Sequence, residues 1–248
     1  GVSYWESKND KRILYTAGSL LFAINALTGK PVRGFGASGV TSLKAGLGVR
    51  AADLWVIATS PGVVYNDLLI IGTRVSENAD AAPGYVRAFN ILTGKVEWVF
   101  HTIPKPGEYG YSTWPKNSYD QIGGANAWAG ISLDEKRGVV YIPTGSASFD
   151  FWGGNRLGEN LFANSIIALD ASTGKRIWHY QTVHHDIWDR DLPAPPNLVT
   201  INHNEKIIDA VAQVTKSGYV FLFHRDTGLP LFPIEERKVP KSDLIGEE

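Results

Sequence analysis

One hairpin, written four times along the chain, constrains the fold more than any other feature. Residues 21–36 (LFAINALTGKPVRGFG), 86–100 (VRAFNILTGKVEWVF), 166–180 (IIALDASTGKRIWHY) and 219–232 (YVFLFHRDTGLPLF) each pass from a short apolar strand through a Thr-Gly turn into a second strand. Aligned on Gly29, Gly94, Gly174 and Gly228, the repeats place Arg33, Trp98, Trp178 and Phe232 at one common position after the turn. Glycine supplies the positive φ of such a turn, and the recurring aromatic is expected to pack between neighbouring sheets. An earlier pair of strands precedes each hairpin, in residues 12–24, 63–72, 128–145 and 211–223. Turn signals stand inside the last three of these stretches: Asn66-Asp67, DEKRG at 134–138 and Lys216-Ser217-Gly218. Four strands per unit, repeated, predict an all-β chain folded as a β-propeller of four-stranded antiparallel blades. No helical periodicity of useful length interrupts them.

The units are unequal, and the surplus falls in three loops, residues 76–84, 102–127 and 147–164. Long loops within a regular array are usually functional, and in a propeller these three would gather at one face. Four units make a small or open ring. The chain also contains no methionine. Residues 1–248 are therefore expected to be a single partial propeller domain, about four blades of a larger ring; a homodimer of half-rings is the alternative. With 24 Lys and Arg against 25 Asp and Glu, the net charge of −1 gives no electrostatic case for nucleic acid. The absence of cysteine excludes disulfides, thiolate metal sites and cysteine nucleophiles. The longest apolar runs, such as residues 54–58 and 68–71, are too short to span a bilayer, so a membrane could be met only through segments outside this chain.

Against that scaffold the loop QTVHHDIWDRDLP, residues 181–193, stands out. It groups His184, His185, Asp186, Trp188, Asp189 and Asp191, and its prolines rule out a helix or a central strand. Adjacent histidines on an extended chain point opposite ways, which favours a supporting role over metal chelation. Asp189, among carboxylates and beside Trp188, has the setting of a general base; a turn-capping aspartate fits the pattern equally well. Trp128 in GGANAWAG is flanked by small residues and can present its face to a flat ligand, or it is one more packing tryptophan. Glu77-Asn78 opens a long loop directly after a strand, where hard oxygen ligands suit calcium and a solvated loop tip is the plain reading. Lys216 sits in a tight turn, where simple turn chemistry also explains it. GFGASG, residues 34–39, matches the dinucleotide pattern but follows a hairpin and opens no helix, so it reads as a turn.

QTVHHDIWDRDLPAPP, GGANAWAG and the A-x-D/N-x-x-T-G-K-x-x-x-W hairpins together resemble the quinoprotein dehydrogenases that use pyrroloquinoline quinone (PQQ), and most of all the membrane-bound glucose dehydrogenase branch. The likeness covers essentially the whole chain, which would correspond to the middle of an eight-bladed propeller domain. The HHDxWDxD stretch after a TGK hairpin is the specific signal, since non-catalytic propellers share the hairpins. The resemblance implies Asp189 as catalytic base and Lys216 as the cation at the quinone oxygens. It implies Trp128 beneath the cofactor ring, and polar cofactor contacts from Thr59 or Ser60 and from Arg74. It also implies Glu77 and Asp189 as calcium ligands, with the remaining protein ligand near residues 146–148 and Ser148 the candidate. The implied activity is a PQQ-dependent, calcium-assisted oxidation of an aldose or polyol of the glucose type. The electrons would pass to a quinone or a cytochrome, in the periplasm or outside the cell. A PQQ-dependent alcohol dehydrogenase is the first alternative. A non-catalytic propeller serving as a binding scaffold is the second, disfavoured by the joint presence of Glu77, Trp128, Asp189 and Lys216.

Overall fold

The computed structural model describes residues 1–240 and Asp243. Its strands form four antiparallel sheets, which are the blades of a β-propeller. The first holds Val2–Ser7, Asp10–Ala17, Leu20–Asn25 and Val40–Ser42; the second holds Val63–Tyr65, Leu68–Ile71, Val86–Asn90 and Val96–Phe100. The third holds Ser132–Asp134, Val139–Pro143, Ser165–Asp170 and Arg176–Gln181. The fourth has three strands among the described residues, Asn197–His203, Lys206–Val214 and Val220–His224. A two-stranded ribbon, Val56–Ile57 with Arg74–Val75, lies beside the second. Among the described residues helix is confined to short segments such as Ser118–Gln121.

The recurring turn has one construction. Asn25 Oδ1 accepts the backbone N–H groups of Leu27 and Thr28, Asn90 Oδ1 those of Leu92 and Thr93, and Asp170 Oδ1 that of Thr173. The following glycine closes the loop on the backbone carbonyl of that Asn or Asp, from left-handed φ of 68°, 72° and 69° at Gly29, Gly94 and Gly174. A side chain would be strained there. The A-x-D/N-x-x-T-G motif is thus a self-capped hairpin corner.

Two of the expected second arms are not strands. After the turn, residues 26–36 form only the isolated Ile24–Pro31 bridge with their strand, flanked by the Val32 N–Ala23 O and Asn25 N–Lys30 O bonds. Residues 225–232 form only the Phe223–Pro230 bridge, flanked by Leu231 N–Leu222 O and His224 N–Leu229 O. Both repeats place proline two residues after the glycine, where the other two have Val96 and Arg176. Proline has no N–H to give to a ladder. The first sheet takes Val40–Ser42 as its outer strand instead. The fourth unit was expected to begin near Val211. Its sheet begins at Asn197, which pairs with Ala212.

Between blades, the aromatic register does what a packing residue should. Trp98 lies against Gly174 of the next blade and donates its indole N–H to Ala171 O at 3.1 Å; Trp178 lies against Gly228 and donates to Arg225 O at 3.0 Å. The matching carbonyl of the second blade, Ile91 O, is met by the Arg12 guanidinium at 2.7 Å, and buried Phe35 lies near Gly94. Arg33 therefore does not play the tryptophan's part, and Phe232 is 54% exposed. The core fills these inter-blade seams: Trp98 joins Ile70, Val86 and Leu169 in one cluster, and Trp178 joins Tyr141, Ile166 and Phe223 in another.

Candidate active site

The three long loops do gather on one face. Gly124 bridges both Pro83 and Ala147, and Ser148 N donates to Gly123 O at 3.1 Å. Together with the turn at Lys216 they enclose a cavity of about 310 Å³, within the range of small-ligand sites. Arg74, Glu77, Asn126, Trp128, Ser148, Asp150, Asp191 and Lys216 all line it, as does Thr59.

The aspartate-rich loop is held in place by Asp186. Its buried carboxylate accepts hydrogen bonds from the Ser146 hydroxyl, from Asn164 Nδ2 at 2.9 Å and from the backbone N–H groups of Trp188 and Arg190. Arg156 binds the Asp186 carbonyl. His185 Nδ1 meets Gly158 O at 2.8 Å, and His184 Nε2 meets Glu236 at 2.7 Å. The histidines are tethers for the loop, and neither lines the cavity. Trp188 points outward, 69% exposed, so it does not provide the apolar wall expected beside Asp189.

That framework presents Asp189 in the left-handed region, φ 53°, where an aspartate is tolerated at some cost. Both of its oxygens lie 2.7 Å from Lys216 Nζ, and Lys216 reaches on to Asp191 Oδ2 at 3.1 Å. One ammonium thus serves two carboxylates. Burial and the charge of Asp191 push the Asp189 carboxyl above its usual range, despite the Lys216 hydrogen bonds that pull it down. Burial pulls the Lys216 ammonium down, but its hydrogen bonds and the two negative charges leave it raised overall.

Asp191 is the residue that ties the site together. Oδ1 accepts Ser146 N–H at 2.7 Å, and Oδ2 accepts the Trp128 indole N–H at 2.9 Å as well as Lys216. A Cβ on Gly145 would stand 2.5 Å from its Oδ1, so only glycine lets the loop come this close. Trp128 is held from its backbone too, where its carbonyl accepts the Thr59 hydroxyl at 2.8 Å and the Ser60 hydroxyl at 3.0 Å. Ser60 has no place in the cavity wall. Lys216 Nζ lies 5.8 Å from the centroid of the Trp128 ring.

Elsewhere in the cavity lining, Arg74 NH2 stands 3.6 Å from Glu77 Oε1, an exposed and loose pair. Ser148 Oγ makes one long contact, 3.4 Å to Ser76 O. Both groups are free to turn toward a ligand. Asp150, absent from the sequence-based candidates, lines the same cavity and is 8% exposed. Burial, reinforced by the charges of Asp189, Asp191 and Glu77, pushes its carboxyl up to about 7. The donors on these walls are oxygens, the chemistry of a hard cation such as calcium. Among the described residues no three carboxylate or imidazole groups form a ready-made metal cluster. Any cation here would draw on hydroxyl and carbonyl oxygens, or on a bound ligand, as well as carboxylates. The Trp128 indole with Lys216 beside it, and Arg74 in the same cavity lining, suits a flat, anionic ring system.

The fold is thus a β-propeller whose blades are joined by tryptophan on glycine, with Trp128 and Lys216, the partner of Asp189, lining one cavity. The chain belongs to the PQQ-dependent dehydrogenases: residues 1–248 match the family's "Glucose/ethanol/alcohol dehydrogenase, beta-propeller domain". It is 36% identical over 237 residues to the quinate/shikimate dehydrogenase (quinone) of Acinetobacter baylyi, covering 94% of this chain and 29% of that one. It is 38% identical to quinoprotein glucose dehydrogenase A of Acinetobacter calcoaceticus, covering 92% of this chain and 28% of the relative. Among solved structures, the quinohemoprotein alcohol dehydrogenase ADHIIG of Pseudomonas putida HK5 superposes with a TM-score of 0.80 at 28% identity, covering 98% of this chain and 34% of the other. The chain thus spans about a third of the length of the relatives it matches.

Proposed function

We propose that this chain is the cofactor-binding part of a PQQ-dependent, calcium-assisted dehydrogenase that oxidises an aldose or polyol of the glucose type. It would form about four blades of an eight-bladed ring in the periplasm or outside the cell, passing electrons to a quinone or cytochrome. The observation that carries this reading is the joining of Asp189 to Lys216, which lines one cavity with Trp128. A binding scaffold has no use for that arrangement. Relatives named as glucose dehydrogenases support the sugar. A relative named as a quinohemoprotein alcohol dehydrogenase keeps the alcohol reading as the alternative.

In this reading Trp128 supports the cofactor ring, and Arg74 and Lys216 meet its anionic edge, with Thr59 beside them. Glu77, Ser148 and Asp189 offer oxygens to calcium. The bound quinone supplies the two-electron acceptor. Asp189 takes the proton from the substrate hydroxyl at a carboxylate oxygen. To do so it must loosen at least one of its two contacts with Lys216, while the contact with Asp191 keeps the ammonium in place. The raised proton affinity of Asp189 favours that transfer. Lys216 then answers the negative charge that develops nearby.

The test is dye-linked oxidation of glucose and of a panel of sugars and primary alcohols by the intact protein, reconstituted with PQQ and calcium. Turnover with an aldose, abolished in Asp189→Asn, is the expected result. Intact protein that takes up no PQQ, or reduces no dye with any substrate, refutes the enzyme reading. Turnover with alcohols alone moves it to the alternative.

A further inference from the structure

Three carboxylates line this one cavity, Glu77, Asp150 and Asp191, and a fourth, Asp189, is joined to its wall through Lys216. Three of the four have a visible counter-charge. Lys216 bridges Asp189 and Asp191, and Arg74 stands beside Glu77. Asp150 differs. It is 8% exposed, and among the described residues no donor reaches its carboxylate. The one guanidinium that acts on it favourably at a distance, Arg156, is engaged with Asn160 Oδ1 at 2.7 Å, Phe149 O at 2.8 Å and Asp186 O. A carboxylate so nearly buried and without a hydrogen-bond partner is costly, and folded chains keep such a group where something else completes it.

We propose that Asp150 is a direct ligand of the divalent cation in this cavity, on the same ion as Glu77. Three observations point this way. The carboxylate lines the cavity, so a bound ion can reach it without passing through protein. Its neighbours in the wall, Ser148 and Ser146, bring oxygen atoms of the kind calcium takes into mixed shells. And the surplus of negative charge is met by one doubly charged ion without displacing Lys216, which bridges Asp189 and Asp191. This assignment deepens the calcium-assisted reading above and rests on it. It also relieves Asp189, which need not serve as the principal acidic ligand while acting as base.

The test is calcium binding by the intact protein before any turnover is measured. Wild type and Asp150→Asn are titrated with calcium by calorimetry and with terbium(III), whose emission is sensitised by a tryptophan such as Trp128 lining the same cavity. Loss of a charged ligand should weaken both ions at least about tenfold. The rise in melting temperature that calcium gives the wild type should largely vanish. In calcium-free buffer the variant should melt at or above the wild type, because an unpaired buried charge has been removed. Calcium affinity within twofold of wild type overturns the assignment. So does a variant that unfolds or melts lower without calcium, since Asp150 would then have a protein partner. PQQ uptake, followed by tryptophan quenching, separates the two readings. If wild type takes no PQQ, the functional reading fails, and the calcium titrations still stand; if PQQ binds and Asp150→Asn keeps wild-type calcium affinity, only the ligand assignment fails.

Discussion

Alanine at Gly174 tests whether the blades are joined by tryptophan on glycine. Gly174 sits at φ +69°, and a Cβ there would stand 2.5 Å from Cε3 and 2.7 Å from Cδ2 of Trp98. The left-handed backbone alone costs a non-glycine residue about 1 kcal/mol. The ring cannot withdraw freely, because its indole N–H is bonded to Ala171 O, so overpacking adds about 1–3 kcal/mol. Gly174→Ala should therefore destabilise by about 2–4 kcal/mol. Gly18 provides the control, at φ +55° with nothing within 4 Å of an added Cβ. Gly18→Ala should lose only the backbone part, about 1 kcal/mol. Trp98→Ala by itself should cost about 3–5 kcal/mol. Once the ring is gone the added methyl has room, so the double variant should be more stable than the sum of the singles by about 1–3 kcal/mol. Urea unfolding followed by far-ultraviolet circular dichroism measures all four. Equal losses at Gly18 and Gly174, or a strictly additive cycle, would refute the docking argument.

Two further measurements probe the outer face and the site. His179 is packed against Phe162 and Tyr109, with Arg176 at its Nδ1, and burial followed by the Arg176 charge pulls its pKa down to about 4. The unfolded chain binds that proton first as pH falls. The stabilisation is thus complete above the ordinary histidine value and lost as pH drops through about 4. Between pH 7.5 and 4.5 wild type should lose about 2 kcal/mol more than His179→Gln, allowing for partial exposure, and parallel pH profiles would contradict this. Asp191→Asn puts an NH2 group in place of one carboxylate oxygen and so leaves either Ser146 N, or both the Trp128 indole and Lys216 Nζ, without an acceptor. It should cost about 1–3 kcal/mol and shift tryptophan emission, whereas an unchanged urea midpoint and spectrum would show that Asp191 does not hold Trp128.

The hairpins were readable because each corner needs particular chemistry: a side-chain oxygen at Asn25, Asn90 or Asp170, and a positive φ at the glycine. Pro31 and Pro230 carried an equally physical signal, a missing N–H, which a uniform reading of the repeat overrode. In the loop at 181–193, pattern could mark out the aspartates but not divide their work. Asp186 turns inward to hold the loop, Asp191 turns to Trp128, and Asp189 meets Lys216, because of contacts with Ser146 and Asn164 that lie far off in sequence. Asp150 escaped notice among Phe149, Phe151 and Trp152, since burial in a loop leaves no periodicity to detect.

The carbonyls capped across the seams also have a direction. Arg12 reaches forward to Ile91 O, Trp98 to Ala171 O and Trp178 to Arg225 O, so each blade finishes the corner of the one that follows it. Such a chain of nearest-neighbour contacts opens piecewise, one blade at a time. The cavity cuts across that order, with Glu77, Trp128, Asp150 and Lys216 drawn from separate stretches of the array. A ligand touching all four would link their openings, so amide exchange should slow together in blades that otherwise fluctuate independently.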